Sequence, residues 1–391
     1  MKSKKNIIVV TGGAGFIGSN LIEFFVKKTN FKIISIDNYS AGSKKNHIIN
    51  SKVRYFKSNT KNIFKILKSY QNKIDSVFHF GEFSRIYQSF LKMNECIDSN
   101  TIGTNEVFNF CLKNKIKLIY SATSATIGNN GLDKNLSPYA FTKSKNLEML
   151  ENLKKWFNFK YEVVYFYNVY GPKQICSGSM ATVIGIFEDQ FLKNKPLTVV
   201  KPGSQSRRFT HVNDTIETCY YAWKKNKCRH YTISHKNSYT VLQVARMFNG
   251  KVKFLPKRPG ERYASALTSI NLSNKVFKKF GKIDLKKYIE NIVKRVESND
   301  YKMLVRKTTV VKSSRNKYHN IMSLIPGITI NRSKVLYDEF NSLRDFIDNI
   351  QKAKNVDEKK RWHTQVNKIE NFIEESWGET EERKVIIDKN D

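Results

Sequence analysis

The stretch Val9-Val10-Thr11-Gly12-Gly13-Ala14-Gly15-Phe16-Ile17-Gly18 sets Gly12, Gly15 and Gly18 at G-x-x-G-x-x-G spacing, directly after the apolar run Ile7 to Val10 and at the opening of a helical pattern. A strand that turns sharply into a helix on such glycines lets backbone N–H groups approach a pyrophosphate, and the positive end of the helix dipole attracts the same anion. Glycine spacing alone fits many loops. Its place between a strand and a helix makes it a dinucleotide-binding turn. Asp37 follows 19 residues after Gly18, at the end of the second strand-like run. A carboxylate there accepts hydrogen bonds from the adenosine ribose hydroxyls and repels a 2′-phosphate, so the pattern selects NAD over NADP. Phe16 and Ile17 in the first turn of the helix, and Asn38 beside Asp37, complete the cofactor contacts expected at this end.

Outward from that turn the rhythm repeats. Lys32 to Ile36, Asp75 to Phe80, Lys117 to Ser121 and Tyr161 to Phe166 are further strand-like runs, separated by amphipathic helical patterns. Apolar runs alternating with helices predict an α/β fold, a doubly wound parallel sheet of the Rossmann type covered on both faces. After Tyr170-Gly171-Pro172 the pattern loosens into loops and short strands, with helical stretches near 181–193, 213–225 and 240–248, as a smaller substrate-binding lobe does. Tyr301 to Lys334 then carries eight basic residues and no acidic one. Beyond it Leu336, Phe340, Leu343, Ile347 and Ile350, and again Trp362, Val366, Ile369, Ile373 and Trp377, recur at spacings of three and four. These stripes predict two helices turning at Asn355-Val356-Asp357. The expected organisation is therefore a Rossmann domain over 1–172 that also holds part of the substrate site, a mainly substrate-binding lobe over 173–299 and an accessory C-terminal helical extension over 300–391.

Composition narrows the function classes. The five cysteines, Cys96, Cys111, Cys176, Cys219 and Cys228, are scattered and never form a C-x-x-C pair. That speaks against a disulfide framework and a zinc knuckle, predicts no metal site and fits a reducing cytoplasm. Nowhere do 18 apolar residues run together, and the basic start leads straight into the first strand without a leader-like apolar segment. A soluble protein with no membrane partner is expected. The net charge of +35 invites a nucleic-acid reading. Against it, lysine far outnumbers arginine and accompanies abundant asparagine and isoleucine, which is a compositional bias. Residues 301–391 hold 18 basic and 14 acidic residues, so the excess sits on the enzyme-like part. A positive cleft there gathers diphosphates, and no nucleic-acid partner is expected.

Pro138-Tyr139-Ala140-Phe141-Thr142-Lys143 offers a Tyr-x-x-x-Lys pair, which on a helix sets phenol and ammonium on one face a turn apart. A tyrosine of ordinary pKa, about 10, is a poor base at neutral pH. A neighbouring cation and a positive cofactor ring lower that value towards working pH. Taken alone the pair usually marks a surface helix. Its arrival after the fourth strand-like run of a dinucleotide fold gives it chemical meaning.

With these motifs, residues 5–295 resemble the extended short-chain dehydrogenase/reductase superfamily, and within it the nucleotide-sugar epimerases. The resemblance implies that Gly12, Gly15, Gly18 and Asp37 bind NAD and that a Ser or Thr works with Tyr139 and Lys143. Ser121-Ala122-Thr123-Ser124-Ala125-Thr126-Ile127-Gly128 resembles the strand end that supplies this hydroxyl; counting back from Gly128 selects Thr123, with Ser124 one register step away. Phe80 and Gly81, in His79-Phe80-Gly81, and Asn100, in Asn100-Thr101-Ile102-Gly103-Thr104, are implied to flank the cofactor. Asn168, in Phe166-Tyr167-Asn168-Val169-Tyr170-Gly171-Pro172, is implied to meet the sugar. Arg207, and Arg258 with Glu261 in Arg258-Pro259-Gly260-Glu261, are implied to grip the nucleotide diphosphate, a task that suits the guanidinium fork. Close relatives pair as dimers through two helices, which implies a homodimer through roughly Thr101–Lys113 and Ser137–Lys155.

Several positions depart from the family pattern. Asn59 stands where many relatives carry an adenine-contacting aspartate, Arg208 where an aspartate usually follows the arginine, and Tyr165 where an arginine often precedes the loop. Glu82 and Arg85 replace small apolar residues, as a pair that reads the sugar or as a local ion pair. Sugar dehydratases carry an Asp-Glu pair after the catalytic Thr, where this chain has Ser124-Ala125. Without those acids elimination of water lacks its general acid and base. The expected activity is NAD-dependent epimerisation of a nucleotide-diphosphate sugar at C4 through a transient keto sugar. The alternatives are a reductase or dehydrogenase of a nucleotide-linked keto sugar and, from a different class, a non-catalytic binding module on a reductase fold.

Overall fold

In the computed structural model, which describes residues 5–228, 230–260 and 281–297, the apolar runs become the strands of one sheet. The chain forms β1 (Ile7–Thr11), α1 (Phe16–Lys28), β2 (Lys32–Asp37), β3 (Val53–Lys57), α2 (Ile63–Leu67) and β4 (Ile74–His79). Next come α3 (Ile86–Leu91), α4 (Met93–Ile97), α5 (Thr104–Lys113), β5 (Lys117–Thr123), α6 (Pro138–Phe157) and β6 (Tyr161–Phe166). A π-helical turn, Asp98–Gly103, joins α4 to α5. The remaining elements are β7 (Val169–Tyr170), α7 (Val183–Leu192), β8 (Leu197–Val200), β9 (Ser206–Arg208), β10 (Thr210–His211), α8 (Val212–Lys224), β11 (His230–Thr232), β12 (Ser238–Thr240), α9 (Val241–Arg246), β13 (Val252–Leu255) and α10 (Leu285–Glu297).

Seven strands form one parallel sheet in the order β11-β6-β5-β4-β1-β2-β3. Successive side chains of a strand point to opposite faces, and both faces are apolar here. Ile7, Val9, Ile34, Ile36, Val77 and Leu118 pack on one side against Ile63 of α2, Phe110 of α5 and Leu150 of α6. Ile8, Val10, Ile33, Phe78 and Ile119 pack on the other against Leu21 and Phe25 of α1 and Ile216 and Cys219 of α8. The chain runs outward from β1 through β2 to β3 and then returns to place β4 on the other side of β1. That reversal opens a crevice at the carboxyl ends of β1 and β4, where doubly wound sheets bind their ligands.

The expected strands are present, with ends shifted by a residue or two. β3 is an addition, and it makes β5, which precedes the Tyr139 helix, the fifth strand. The division expected at residue 172 is crossed by the chain. From the later part, α8 returns to cover the sheet and β11 pairs with β6, whereas α7, β8, α9, β13 and α10 enclose a separate core around Phe187, Val199, Phe248 and Ile289. These elements all belong to one compact unit that runs to Asn299. The expected helical pair between residues 336 and 377 lies outside the described residues.

The turn after β1 is sterically closed to larger residues. A Cβ on Gly18 would sit 2.2 Å from the carbonyl oxygen of Gly12, and one on Gly13 would sit 2.3 Å from Ser35 Oγ. Gly18→Ala is expected to destabilise the protein by about 1–3 kcal/mol, the usual size of an overpacking strain, and to weaken NAD binding. Urea unfolding with and without NAD measures both; an unchanged midpoint in each case would contradict the packing described.

Candidate active site

A cavity of about 500 Å³ runs from the glycine turn, past the ends of β4 and β5, to the lobe. Gly12 has φ +71°, and a Cβ on it would lie 2.9 Å from Gly81 Cα, so the turns after β1 and β4 touch backbone to backbone. Thr11 Oγ1 locks this contact by accepting the N–H groups of Phe80 (3.1 Å) and Gly81 (3.0 Å). Behind it His79 is fully buried between the hydroxyls of Thr11 (2.7 Å) and Thr104 (2.9 Å). Burial pushes its pKa down to about 4, which keeps the ring neutral near pH 7. Gly15 caps α1 without offering a side-chain acceptor to the amides of the first turn, the arrangement that suits a phosphate.

At the end of β2 the buried Asp37 carboxylate accepts N–H bonds from Ala14 (2.9 Å) and Tyr39 (2.8 Å). Burial pushes its carboxyl above the ordinary range, partly offset by the N–H groups of Tyr39, Ala14 and Gly15. Two ribose hydroxyls donating to it would offset that burial further. Gly42 passes so close that a Cβ there would come 2.9 Å from the Asp37 carboxylate. Asn38 and Asn59 line the same end; Asn59 Oδ1 accepts the Lys61 N–H (2.9 Å) and so caps a short helical turn. A glycine cradle at a helix start and an inward carboxylate fit the adenosine diphosphate half of a dinucleotide.

At the other end, Ser137 caps α6 by accepting the Ala140 N–H (3.1 Å), and Pro138 opens the helix. This sets Tyr139 and Lys143 on its buried face. The Tyr139 N–H donates to Ser89 Oγ (3.2 Å), which ties α6 to α3. Thr123 and Ser124 both line the cavity. Thr123 Oγ1 also accepts the Ala125 N–H (3.2 Å) and starts the turn that holds Ser124. Phe80, Asn168, Arg207 and Arg258 line the cavity too. Asn168 has φ +26° and donates to the Arg208 carbonyl (2.8 Å), while Arg258 stacks 5.1 Å above the Tyr87 ring.

Two expected residues are not in the cavity wall as described. Asn100 is fully buried behind it, where its amide clamps Phe83 by accepting the N–H (2.7 Å) and donating to the carbonyl (3.1 Å). Glu261 lies outside the described residues. Glu82 and Arg85 do not pair with each other. Glu82 forms a buried ion pair with Lys143, whose ammonium also donates to the Ser121 carbonyl. The same carboxylate accepts from Tyr120 OH (3.0 Å), Thr104 Oγ1 (3.1 Å) and Asn146 Nδ2 (3.2 Å). Arg85 instead reaches the Met180 carbonyl with Nε (3.0 Å) and Nη2 (2.6 Å). The signal for Glu82 was its charge at a small apolar position; its partner, 61 residues away, was not readable from spacing.

The sequence profile of the NAD dependent epimerase/dehydratase family matches residues 8–234. The chain belongs to this family. It is 28% identical over 309 residues to a putative UDP-glucose 4-epimerase of Methanocaldococcus jannaschii, covering 75% of this chain and 99% of that protein. A UDP-N-acetylglucosamine 4-epimerase of Methanobrevibacter ruminantium, solved with UDP-N-acetylmuramic acid, superimposes with a TM-score of 0.65 at 26% identity, over 77% of this chain and 100% of its own. A UDP-glucuronic acid 4-epimerase of Bacillus cereus, solved with UDP-glucuronic acid and NAD, shares the fold with a TM-score of 0.66 at 24% identity, over 75% and 99%. NAD is the cofactor, and the cradle at Gly12, Gly15 and Gly18 with Asp37 beside it fits that group.

Unmodified protein is expected to bind NAD more tightly than NADP. Asp37→Ala is expected to weaken NAD by roughly 10- to 100-fold, the worth of hydrogen bonds to a charged group, and to narrow the preference. Parallel titrations with both cofactors test this, and tighter NADP binding by the unmodified protein would refute it.

Proposed function

We propose that this protein epimerises a nucleotide-diphosphate sugar at C4. The observation that carries the reading is the convergence of Thr123, Tyr139 and Lys143 on the cavity that begins at the dinucleotide cradle. Epimerisation needs one group that takes and returns a hydroxyl proton and one that takes and returns a hydride. NAD, when bound, supplies the second. Tyr139 as phenolate takes the proton of the C4 hydroxyl, and Thr123 hydrogen-bonds the reacting oxygen, with Ser124 beside it. Lys143 orients the site and holds the nicotinamide ribose. The keto sugar turns over within the cavity, Tyr139 returns the proton, and the C4 configuration is inverted with no net change in the cofactor. Ser124-Ala125, in place of an acidic pair, leaves the site without the groups needed to eliminate water.

The lobe side of the cavity supplies the substrate's grip. Arg207 on β9 and Arg258 after β13 line it from separate elements, and two guanidinium forks suit a diphosphate. Asn168 lies between them and the cofactor cradle in the chain and meets the sugar. In this reading the elements between 173 and 299 mainly cover the substrate, and residues 300–391 are accessory. Five free cysteines fit a reducing cytoplasm, and no helix among the described residues is long and apolar enough to cross a membrane.

Incubating the protein and NAD with UDP-, GDP-, CDP- and ADP-sugars, with products identified by NMR, is expected to yield the C4 epimer of one of them. Tyr139→Phe is expected to retain NAD binding and lose turnover by roughly 100- to 10,000-fold, the usual range for a general acid–base group. Wild-type turnover in that variant would dismiss the mechanism.

We further propose a homodimer through α3 to α6. Phe90, Leu91, Met93, Ile97, Ile102, Phe141 and Met149, all in these helices or the turn between α4 and α5, are large apolar residues left exposed. A single protein rarely leaves so much apolar surface uncovered without a partner. Light scattering is expected to give twice the chain mass at micromolar concentration. Phe141→Glu with Leu91→Glu is expected to give monomers, and a monomeric unmodified protein would remove the proposal.

A further inference from the structure

Lys143 is the cation expected to hold Tyr139 ionised, yet its charge is already taken up. Glu82 and Lys143 are both buried and joined directly, and the Glu82 carboxylate is fixed by three further donors. A paired ammonium acts on its neighbours as a dipole, whose field falls off faster than that of a lone charge. A second cation is in place. Arg85 is half-buried and, among the described residues, forms no salt bridge with a carboxylate and donates its hydrogen bonds to the carbonyls of Met180 and Ser84. It stands at the start of α3, whose Ser89 accepts the Tyr139 N–H, and Met180 packs on the cluster formed by Phe83, Cys96, Ala125 and Tyr139. Arg85 and Tyr139 line the same cavity. Burial pulls the guanidinium's pKa down, and Tyr139 is the group that holds it up.

Building on the reading of Tyr139 as the proton acceptor, we propose that Arg85 is the positioning residue whose charge keeps Tyr139 ionised, because Glu82 has cancelled that of Lys143. Titratable groups lie on each element around Tyr139. They are Arg85 before α3, Cys96 on α4, His79 at the end of β4, Glu82 in the turn after it, Tyr120 on β5 and Lys143 on its own helix; Arg258 also lines the cavity. Burial lowers His79 to about 4, raises the Cys96 thiol to about 11 and pushes Tyr120 well up, so all three are uncharged around neutral pH. What remains is a neutral Glu82–Lys143 pair and one net positive charge on Arg85. A positive charge favours the phenolate, so Tyr139 loses its proton at a lower pH with Arg85 than without it.

The phenolate absorbs in the near ultraviolet, so the titration of Tyr139 is read as the difference between NAD-loaded full-length protein and its Tyr139→Phe variant across pH. Tyr139 is expected to ionise well below the ordinary value of about 10. Arg85→Gln is expected to move that ionisation up by about one unit or more, and Arg85→Lys to leave it low. Glu82→Gln, which frees the charge of Lys143, is expected to move it down, and to reverse the upward move when combined with Arg85→Gln. A merely structural Arg85 would not be rescued by a change at Glu82. A low ionisation in the unmodified protein that Arg85→Gln leaves in place overturns the role of Arg85 and spares that of Tyr139. Should Arg85→Gln fail to fold, a Glu82→Gln ionisation that stays put or rises overturns the proposal. Tyr139 ionising no lower than an ordinary tyrosine overturns both readings.

Discussion

The contact on which the rest of the molecule depends is the one between two bare backbones, Gly12 after β1 and Gly81 after β4. A Cβ added to either residue would sit 2.9 Å from the other's backbone, so these turns approach as only glycines allow. The Thr11 hydroxyl then fastens one to the other. Because of that contact the cradle for a diphosphate and the strand end that carries Glu82 share one wall. The helix that carries Tyr139 and Lys143 reaches the same wall because β5 lies next to β4, and its lysine is anchored to the residue directly after Gly81. Cofactor turn, ion pair and Tyr139 thus share one wall held by a single steric contact.

Much of this was legible in the chain. Strands buried on both faces must be apolar throughout, so β1, β2, β4, β5 and β6 announced themselves. β3 did not, because Arg54 and Lys57 interrupt a strand that has a neighbour on one side only. β11 has three residues, too few to show a period, and its place beside β6 is a matter of chain path. Site residues followed the same division. The glycines, Asp37, Tyr139 and Lys143 are set by local spacing and line one cavity. Asn100, in the π-helical turn, is buried and braces the Phe83 backbone, a contact across 17 residues that spacing does not encode. The partners of Glu82 and Arg85 lie 61 and 95 residues away, and no local pattern encodes such pairings.

The electrostatics of the crevice arrange charge by separation rather than by amount. Despite a net charge of +35, the buried groups around Tyr139 are mostly neutral or paired. His79 gives up its proton to burial, and Lys143 meets a carboxylate. A field made by few, fixed charges in a dry pocket acts more strongly than many mobile ones at the surface, where salt screens them.

The path of the chain between sheet and lobe has a mechanical meaning. It leaves the sheet after β7 for α7, returns at β10 and α8, leaves again after β11 for β12, and so crosses the boundary three times. A body tied to its base at one point swings freely, and one tied at two points turns about a line. Each further tie narrows the set of movements open to the lobe, so with three crossings any opening of the cleft must bend the chain at all three places together.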